Sequence, residues 1–139
     1  SNNLSLARMT QPVWAGSLSV SDPASRAWFK RTRVPLLAWS SQARGFFTDR
    51  ADPAREPEPD LQRSWYSAGN HARRARAYEL AAKRGVEPVH VALAYVLCQP
   101  FPTFALIGPR TIAEFRSSLA GLALALTPDE LAWLDGTED

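Results

Sequence analysis

The chain has 139 residues and a mass of 15.4 kDa, room for one domain with enough interior to bury a core without disulfides or metal. Apolar residues make up 45% and charged residues 22%, which excludes general disorder, collagen-like repeats and a coiled coil. Sixteen Lys and Arg against fourteen Asp and Glu leave a formal charge of +2, too small an excess to argue for a nucleic-acid surface.

The opening Ser1-Asn2-Asn3-Leu4 has no Met and reads like the middle of a domain, so an incomplete sequence is expected. The first clear element begins at Asp22 as N-cap with Pro23 at the first helical position, and its helix is expected to run to about Arg33. Val34 to Trp39 is a short continuous apolar run, the pattern of a parallel strand buried on both faces. Residues 40–60 read as loop: Ser40 to Gly45 is turn-like, and Pro53, Pro57 and Pro59 stand among charges. A loop of that length inside a compact domain is usually functional or mobile.

From Asn70 as N-cap a helix is expected to Arg84, closed by Gly85. A second follows from Pro88 to Leu97, apolar nearly all round, and Pro100 and Pro102 stop it. Thr103 to Ile107 is another buried strand, and Gly108-Pro109-Arg110 turns into a helix over Thr111 to about Gly121 with Ile112, Phe115, Leu119 and Leu122 as its inner face. Thr127-Pro128-Asp129-Glu130 is a capping box opening a last short helix, with Leu131 and Leu134 inward. Apolar strands alternating with helices imply an α/β fold of right-handed βαβ units and a parallel sheet. With only two or three strands the sheet edges are open, which calls for missing strands or a second copy of the chain to cover them.

Several chemistries drop out. The lone Cys98 cannot form an internal disulfide, and in its apolar run it reads as a buried thiol in a reducing compartment. There is no secretory leader pattern and no apolar stretch near the roughly 20 residues of a membrane span, so a cytoplasmic protein is expected, with no membrane partner. His71 and His90 have no Cys or carboxylate at ligand spacing, and no metal site is expected. There is no nucleophile elbow. The basic run from His71 to Arg76 reads as the solvated face of an amphipathic helix.

In parallel α/β folds, ligands bind at the carboxyl ends of the strands, here Ser40 to Arg50 and Gly108 to Ser118. Amides at the helix start after Gly108, with the guanidinium of Arg110, can hold a phosphate, though a Gly and an Arg at such a turn are also commonplace. Trp39 could stack on a flat heterocycle beside the hydroxyls of Ser40 and Ser41, or it could be a core anchor like Trp14 or Trp28.

Together these segments resemble the aldo-keto reductase family. Ala38-Trp39-Ser40-Ser41-Gln42-Ala43-Arg44-Gly45-Phe46-Phe47 is similar to the family's strand-seven motif, and Ile107-Gly108-Pro109-Arg110 through Leu119 to its strand-eight phosphate motif. Arg76 to Ala81 and Pro88 to Leu97 match the helix pair before strand eight, and Leu126 to Leu131 with Leu134-Asp135 the closing helix. The resemblance covers nearly all of residues 1–139 and implies the carboxyl-terminal part, about strands six to eight, of a (β/α)8 TIM barrel that binds NADP(H). Leu4-Ser5-Leu6 then resembles the end of strand six.

Carried over residue by residue, the resemblance implies that Trp39 stacks on nicotinamide, Ser40, Ser41, Gln42, Ala43 and Arg44 wrap the pyrophosphate, and Arg50 clamps the cofactor. It further implies that Gly108 and Arg110 hold the 2′-phosphate, with Glu114, Ser117 and Ser118 near the adenine, and that residues 48–69 form a mobile loop over the cofactor. Here Ser41-Gln42 replaces the usual Pro-Leu, Ser117-Ser118 the common Glu-Asn, and Ser1 falls where a Gln contacts nicotinamide. The family's catalytic Asp, Tyr, Lys and His lie on strands one to four, outside this chain, and Tyr66, Tyr78 and Tyr95 do not substitute. Two functions are therefore expected as alternatives: the NADP(H)-holding part of a reductase of small aldehydes or ketones, inactive by itself, or a non-catalytic nucleotide-binding half-barrel that dimerises.

Overall fold

A computed structural model describes residues 1–136 of the protein. Three parallel strands, β1 (Asn2–Asn3), β2 (Leu36–Trp39) and β3 (Thr103–Ala105), lie in the order β1-β2-β3. The helices among the described residues are α1 (Pro23–Thr32), α2 (Pro59–Trp65), α3 (Ala68–Arg84), α4 (Pro88–Leu97), α5 (Ile112–Gly121) and α6 (Pro128–Asp135). Leu36 pairs with Thr103 and Ala38 with Ala105, while Asn3 pairs with Trp39. Backbone bonds from Leu36 N–H to Pro102 O and from Leu106 N–H to Ala38 O, both 2.9 Å, carry the β2–β3 pairing past the ends of β3.

Local chemistry fixes most helix starts where the sequence predicts them. At α1 the Asp22 carboxylate accepts the Ser25 N–H at 2.8 Å, and these hydrogen bonds hold the carboxyl below its ordinary range. At α6 the box closes in both directions, Glu130 N–H to Thr127 Oγ1 at 3.2 Å and Thr127 N–H to Glu130 Oε2 at 2.9 Å. Gly85 ends α3 at φ +65°, a left-handed position that glycine adopts without the Cβ penalty.

Other expectations need correction. The N-cap of α3 is Ser67, whose hydroxyl accepts the Asn70 N–H at 3.1 Å, so the helix starts earlier than Asn70. Asn70 is fully buried, and its amide is committed elsewhere: Oδ1 accepts from Arg8 N–H at 2.8 Å, and Nδ2 donates to Arg8 O and Trp65 O, both at 2.7 Å. The stretch read as loop over 40–60 contains single 3₁₀ turns at Ala43–Gly45 and Asp49–Ala51 and the start of α2. With Leu61 and Trp65 as its buried apolar positions, α2 is too short to announce itself by periodicity. Leu4-Ser5-Leu6 is not the strand end; β1 lies just before it, and these three residues are buried beyond the ladder. The far edge of β1 is not open either, because Asn3 N–H donates to Leu18 O at 2.9 Å and Val20 N–H to Asn3 O at 2.8 Å.

The larger corrections concern which faces are covered. The strands are not buried on both faces: Leu36 and Ala38 are sealed in the core, whereas Leu37 is 46% and Phe104 59% exposed. On α5 the expected inner face points outward, with Ile112 73% exposed and Phe115, Leu119 and Leu122 also exposed. The buried side of α5 is Ser118 and Gly121. Small residues are needed there because α4 comes close: a Cβ on Gly121 would meet Leu93 Cδ2 at 3.3 Å and His90 Cα at 3.4 Å. Cys98 is half-buried and its sulfur accepts the Leu126 N–H at 3.5 Å.

The basic run is not simply a solvated face. Arg73 is buried, Arg74 donates to Phe46 O at 3.0 Å and Thr48 O at 3.2 Å, and Arg76 donates to Leu134 O at 3.2 Å. These guanidiniums tie α3 to the loop after β2 and to the end of α6.

Candidate cofactor-binding site

Because β2 and β3 are parallel neighbours, the segments that follow them emerge at the same end of the sheet. Two side chains join those segments. Ser41, buried, donates from Oγ to Leu106 O at 2.9 Å, and Gln42 Nε2 donates to Ser118 Oγ at 3.3 Å. Ser40, Ala43 and Arg44 have φ of +49°, +49° and +55°. Three non-glycine residues in the left-handed region within five positions make a strained turn, of the kind that persists where surrounding contacts dictate the backbone.

Trp39 closes β2, half-buried, and its carbonyl accepts Asn3 Nδ2 at 3.1 Å. The edge-to-face partner of its indole is Trp14, with centroids 5.3 Å apart. Arg50 donates from Nη1 to Arg44 O at 2.8 Å and from Nε to Glu58 Oε1 at 2.8 Å, and it also forms an ion pair with Glu58. Across the mouth, Gly108 and Arg110 are exposed. The Arg110 N–H donates to Glu114 Oε2 at 2.6 Å, and the Glu114 N–H to Thr111 Oγ1 at 3.1 Å, so α5 opens on a near capping box.

The charges of the two segments feel one another. The hydrogen bond from Arg50 holds the Glu58 carboxyl below its ordinary range, helped by the charges of Arg50, Arg110 and Arg44. Glu58 in turn raises Arg50, with Glu114 adding to the effect. Arg50 and Glu58 are thus paired at this end of the sheet, within reach of the charges of Arg44, Arg110 and Glu114.

The structure brings Trp39, Ser40, Ser41, Gln42, Ala43, Arg44, Arg50, Gly108, Arg110 and Glu114 to this one end. Ser117 and Ser118 are on α5 but turned inward: Ser118, 6% exposed, meets Gln42, and Ser117 meets His90 Nε2 at 2.8 Å. Asn3 and Glu58 are also part of the arrangement, as is His90, which the sequence presents only as an unsupported metal ligand. His90, a polar residue between Val89 and Val91, carried the available signal. Of the tyrosines, Tyr66 packs edge-on against Phe46 and His71, Tyr78 accepts from Arg74 Nη2 at 2.7 Å, and Tyr95 is fully buried. An indole, several hydroxyls and a cluster of guanidiniums suit an extended ligand that is flat at one end and multiply anionic along its length.

A profile of the Aldo/keto reductase family matches residues 26–139. The chain belongs to the aldo/keto reductase family. It is 31% identical over 108 residues to the Protein tas of Escherichia coli (strain K12), covering 73% of this chain and 31% of that protein. It is 26% identical over 100 residues to the uncharacterized oxidoreductase YrpG of Bacillus subtilis (strain 168), covering 72% of this chain and 31% of that protein. This aldo/keto reductase chain thus spans under a third of the length of the curated relatives it matches. Its parallel strands and intervening helices are those of part of a TIM barrel. Among the described residues, no helix is long and apolar enough to cross a membrane, and no three His, Cys, Asp or Glu side chains are grouped to hold a metal.

Proposed function

We propose that this chain is the cofactor-holding part of an aldo/keto reductase and binds NADP(H) across the carboxyl ends of β2 and β3. The observation that supports this reading best is the pairing of two segments distant in sequence, through Ser41 to Leu106 O and Gln42 to Ser118, with Arg44, Arg50 and Arg110 round them. Trp39 takes the nicotinamide ring, the strained Ser40 to Arg44 turn and Arg50 take the pyrophosphate, and Gly108 and Arg110 take the 2′-phosphate beside Glu114. When bound, the cofactor supplies the hydride; these residues orient it and neutralise its phosphates. Proton delivery to a small aldehyde or ketone belongs to the catalytic set of a full barrel. Of the segment 48–69, the stretch before α2 covers the cofactor, with the Arg50–Glu58 pair as its clasp. The lone half-buried thiol of Cys98 fits a reducing cytoplasm.

The test is titration of the chain with NADPH and NADH, followed by tryptophan fluorescence and calorimetry. Tighter binding of NADPH, lost in Arg110→Ala, is expected; equal binding of both nucleotides would remove Arg110 from the 2′-phosphate role. No binding of either would end the cofactor reading.

A second reading is favoured by the exposed sheet face at Leu37 and Phe104 and by β3, which has no strand on its outer side among the described residues. In that reading the apolar face is covered by a second copy of the chain, and the protein is a nucleotide-binding half-barrel dimer. Sedimentation of a concentration-independent monomer would exclude it.

A further inference from the structure

Two adjacent serines of α5 reach in different directions, and each ends on a different part of the molecule. Ser118 accepts Gln42 Nε2 at 3.3 Å, and Gln42 belongs to the turn that carries Ser40 to Arg44. Ser117 Oγ is 2.8 Å from His90 Nε2 on α4 and 3.2 Å from Glu87 Oε2.

The direction of each bond follows from one donor whose proton is fixed. The Glu87 backbone N–H donates to His90 Nδ1 at 3.3 Å, so Nδ1 carries no proton and the neutral ring is protonated at Nε2. Nε2–H then donates to Ser117 Oγ, and the Ser117 hydroxyl proton is left for the Glu87 carboxylate. Every donor in the circuit has one acceptor. His90, donating to the serine, is not placed to take its proton, so this trio is no nucleophilic site.

The circuit matters because it adds direction to the close approach of α4 and α5. Its apolar residues Ile112, Phe115, Leu119 and Leu122 point away, and its buried side is Ser118 and Gly121, which let the helices approach without interlocking. Directional hydrogen bonds fix the orientation of the helix within that contact.

We propose that His90, Ser117 and Ser118 are positioning residues that hold the N-terminus of α5, with Arg110, at a set distance from the Ser40 to Arg44 turn, and so set the preference for a nucleotide bearing a 2′-phosphate. This rests on the cofactor reading above; it adds His90 and gives Ser117 and Ser118 a role exerted through α5 in place of the expected one beside the adenine. A 5′-diphosphate nucleotide lacking the 2′-phosphate relies on the turn alone and is indifferent to the setting of α5.

The experiment uses the full chain and its Ser117→Ala, Ser117→Thr and Ser118→Ala variants, with dissociation constants for NADPH and NADH and the ¹⁵N shifts of the His90 ring. Removing either serine is expected to weaken NADPH about fivefold, the worth of one hydrogen bond, and NADH less than twofold. Ser117→Thr, which keeps the hydroxyl, restores the NADPH value, whereas a merely structural role would weaken both nucleotides together. The ring shifts of the unaltered chain are expected to show the Nε2-protonated tautomer. An Nδ1-protonated ring, equal losses for the two nucleotides, or unchanged NADPH binding in Ser117→Ala would overturn the positioning role while leaving the cofactor reading intact. Failure of the unaltered chain to bind either nucleotide would overturn both.

Discussion

The arginines on the flank of α3 and those at the ends of β2 and β3 are one residue type in opposite circumstances. On the flank, Arg74 and Arg76 donate to backbone carbonyls of Phe46, Thr48 and Leu134, and Arg26 and Arg8 share the carboxylate of Asp135. Arg73 is buried among them, and that burial, with Arg8 close by, presses its guanidinium below its ordinary range. At the sheet end, Arg44 and Arg110 are exposed, and only Arg50 is tied to a carboxylate. The rigid five-donor fork explains both uses. Where its donors meet carbonyls it cross-links elements, and where they face outward it is available to an anion. A basic run in a sequence is therefore not evidence of a basic surface until the carbonyls it satisfies have been counted.

The sharpest break of this comparison is Asp135→Ala. Arg26 and Arg8 would lose their carboxylate in a partly buried setting, and a loss of roughly 3 kcal/mol in urea unfolding is expected. Unchanged stability would mean that the flank arginines are solvated after all. Arg110→Ala should give the reverse pattern. Its stability is expected to stay within about 0.5 kcal/mol of the parent, while NADPH weakens by about tenfold to a hundredfold, the range of a charge-assisted contact. A destabilised Arg110→Ala chain would erase the distinction between the two groups.

Arg50 stands between the groups, and pH probes it. The Glu58 carboxyl is held below its ordinary value by the Arg50 hydrogen bond, so the folded state binds its proton less readily than the unfolded chain. Whatever the clasp contributes is therefore present above the ordinary carboxylate range and is lost as pH falls through the lowered value. Glu58 is exposed, so the effect on global stability is expected to be slight and the effect on the loop larger. Hydrogen exchange of residues 48–58 should quicken as pH is lowered from 5 to 3, after correction for intrinsic rates. In Glu58→Gln it should be fast and flat throughout; an unchanged loop in that variant would mean that Arg50 to Arg44 O alone closes it.

What was legible in the sequence was what neighbours in the chain decide. Asp22-Pro23 and Thr127-Pro128 each put a capping residue before a proline that suits the first turn, Pro88 marks a third start by itself, and all three helices start there. Ser67 and Asn70 were both capping types, and only the buried carbonyls of Arg8 and Trp65 decide which one caps. The inner face of α5 was misread for a comparable reason. Apolar periodicity finds a face that wants covering, but the small side of this helix is what α4 admits. The continuous apolar runs of the strands likewise have two apolar faces, and the helices cover one. At the candidate site, the turn after β2 and the Gly108–Arg110 turn were legible from their likeness to a family, whereas Asn3 and His90 act through partners 36 and 27 positions away.

The smallest expected effect tests whether the flank network is drawn to its true extent. Tyr95 is fully buried with its hydroxyl lacking a hydrogen-bond partner, and the Arg26 guanidinium carbon is 5.7 Å from its ring centroid. Burial pushes the phenol well above its ordinary value. An unpartnered buried hydroxyl costs stability, and deleting it removes that cost while keeping the ring's packing. Tyr95→Phe is therefore expected to leave unfolding unchanged or raise stability by up to about 1 kcal/mol, whereas a bonded tyrosine would lose about that much. A double-mutant cycle with Asp135→Ala sharpens the result. Additive effects would leave Tyr95 outside the arginine network; a coupling above about 0.5 kcal/mol would bring its hydroxyl into the Arg26–Asp135 pair and make the flank a tyrosine-bearing cluster.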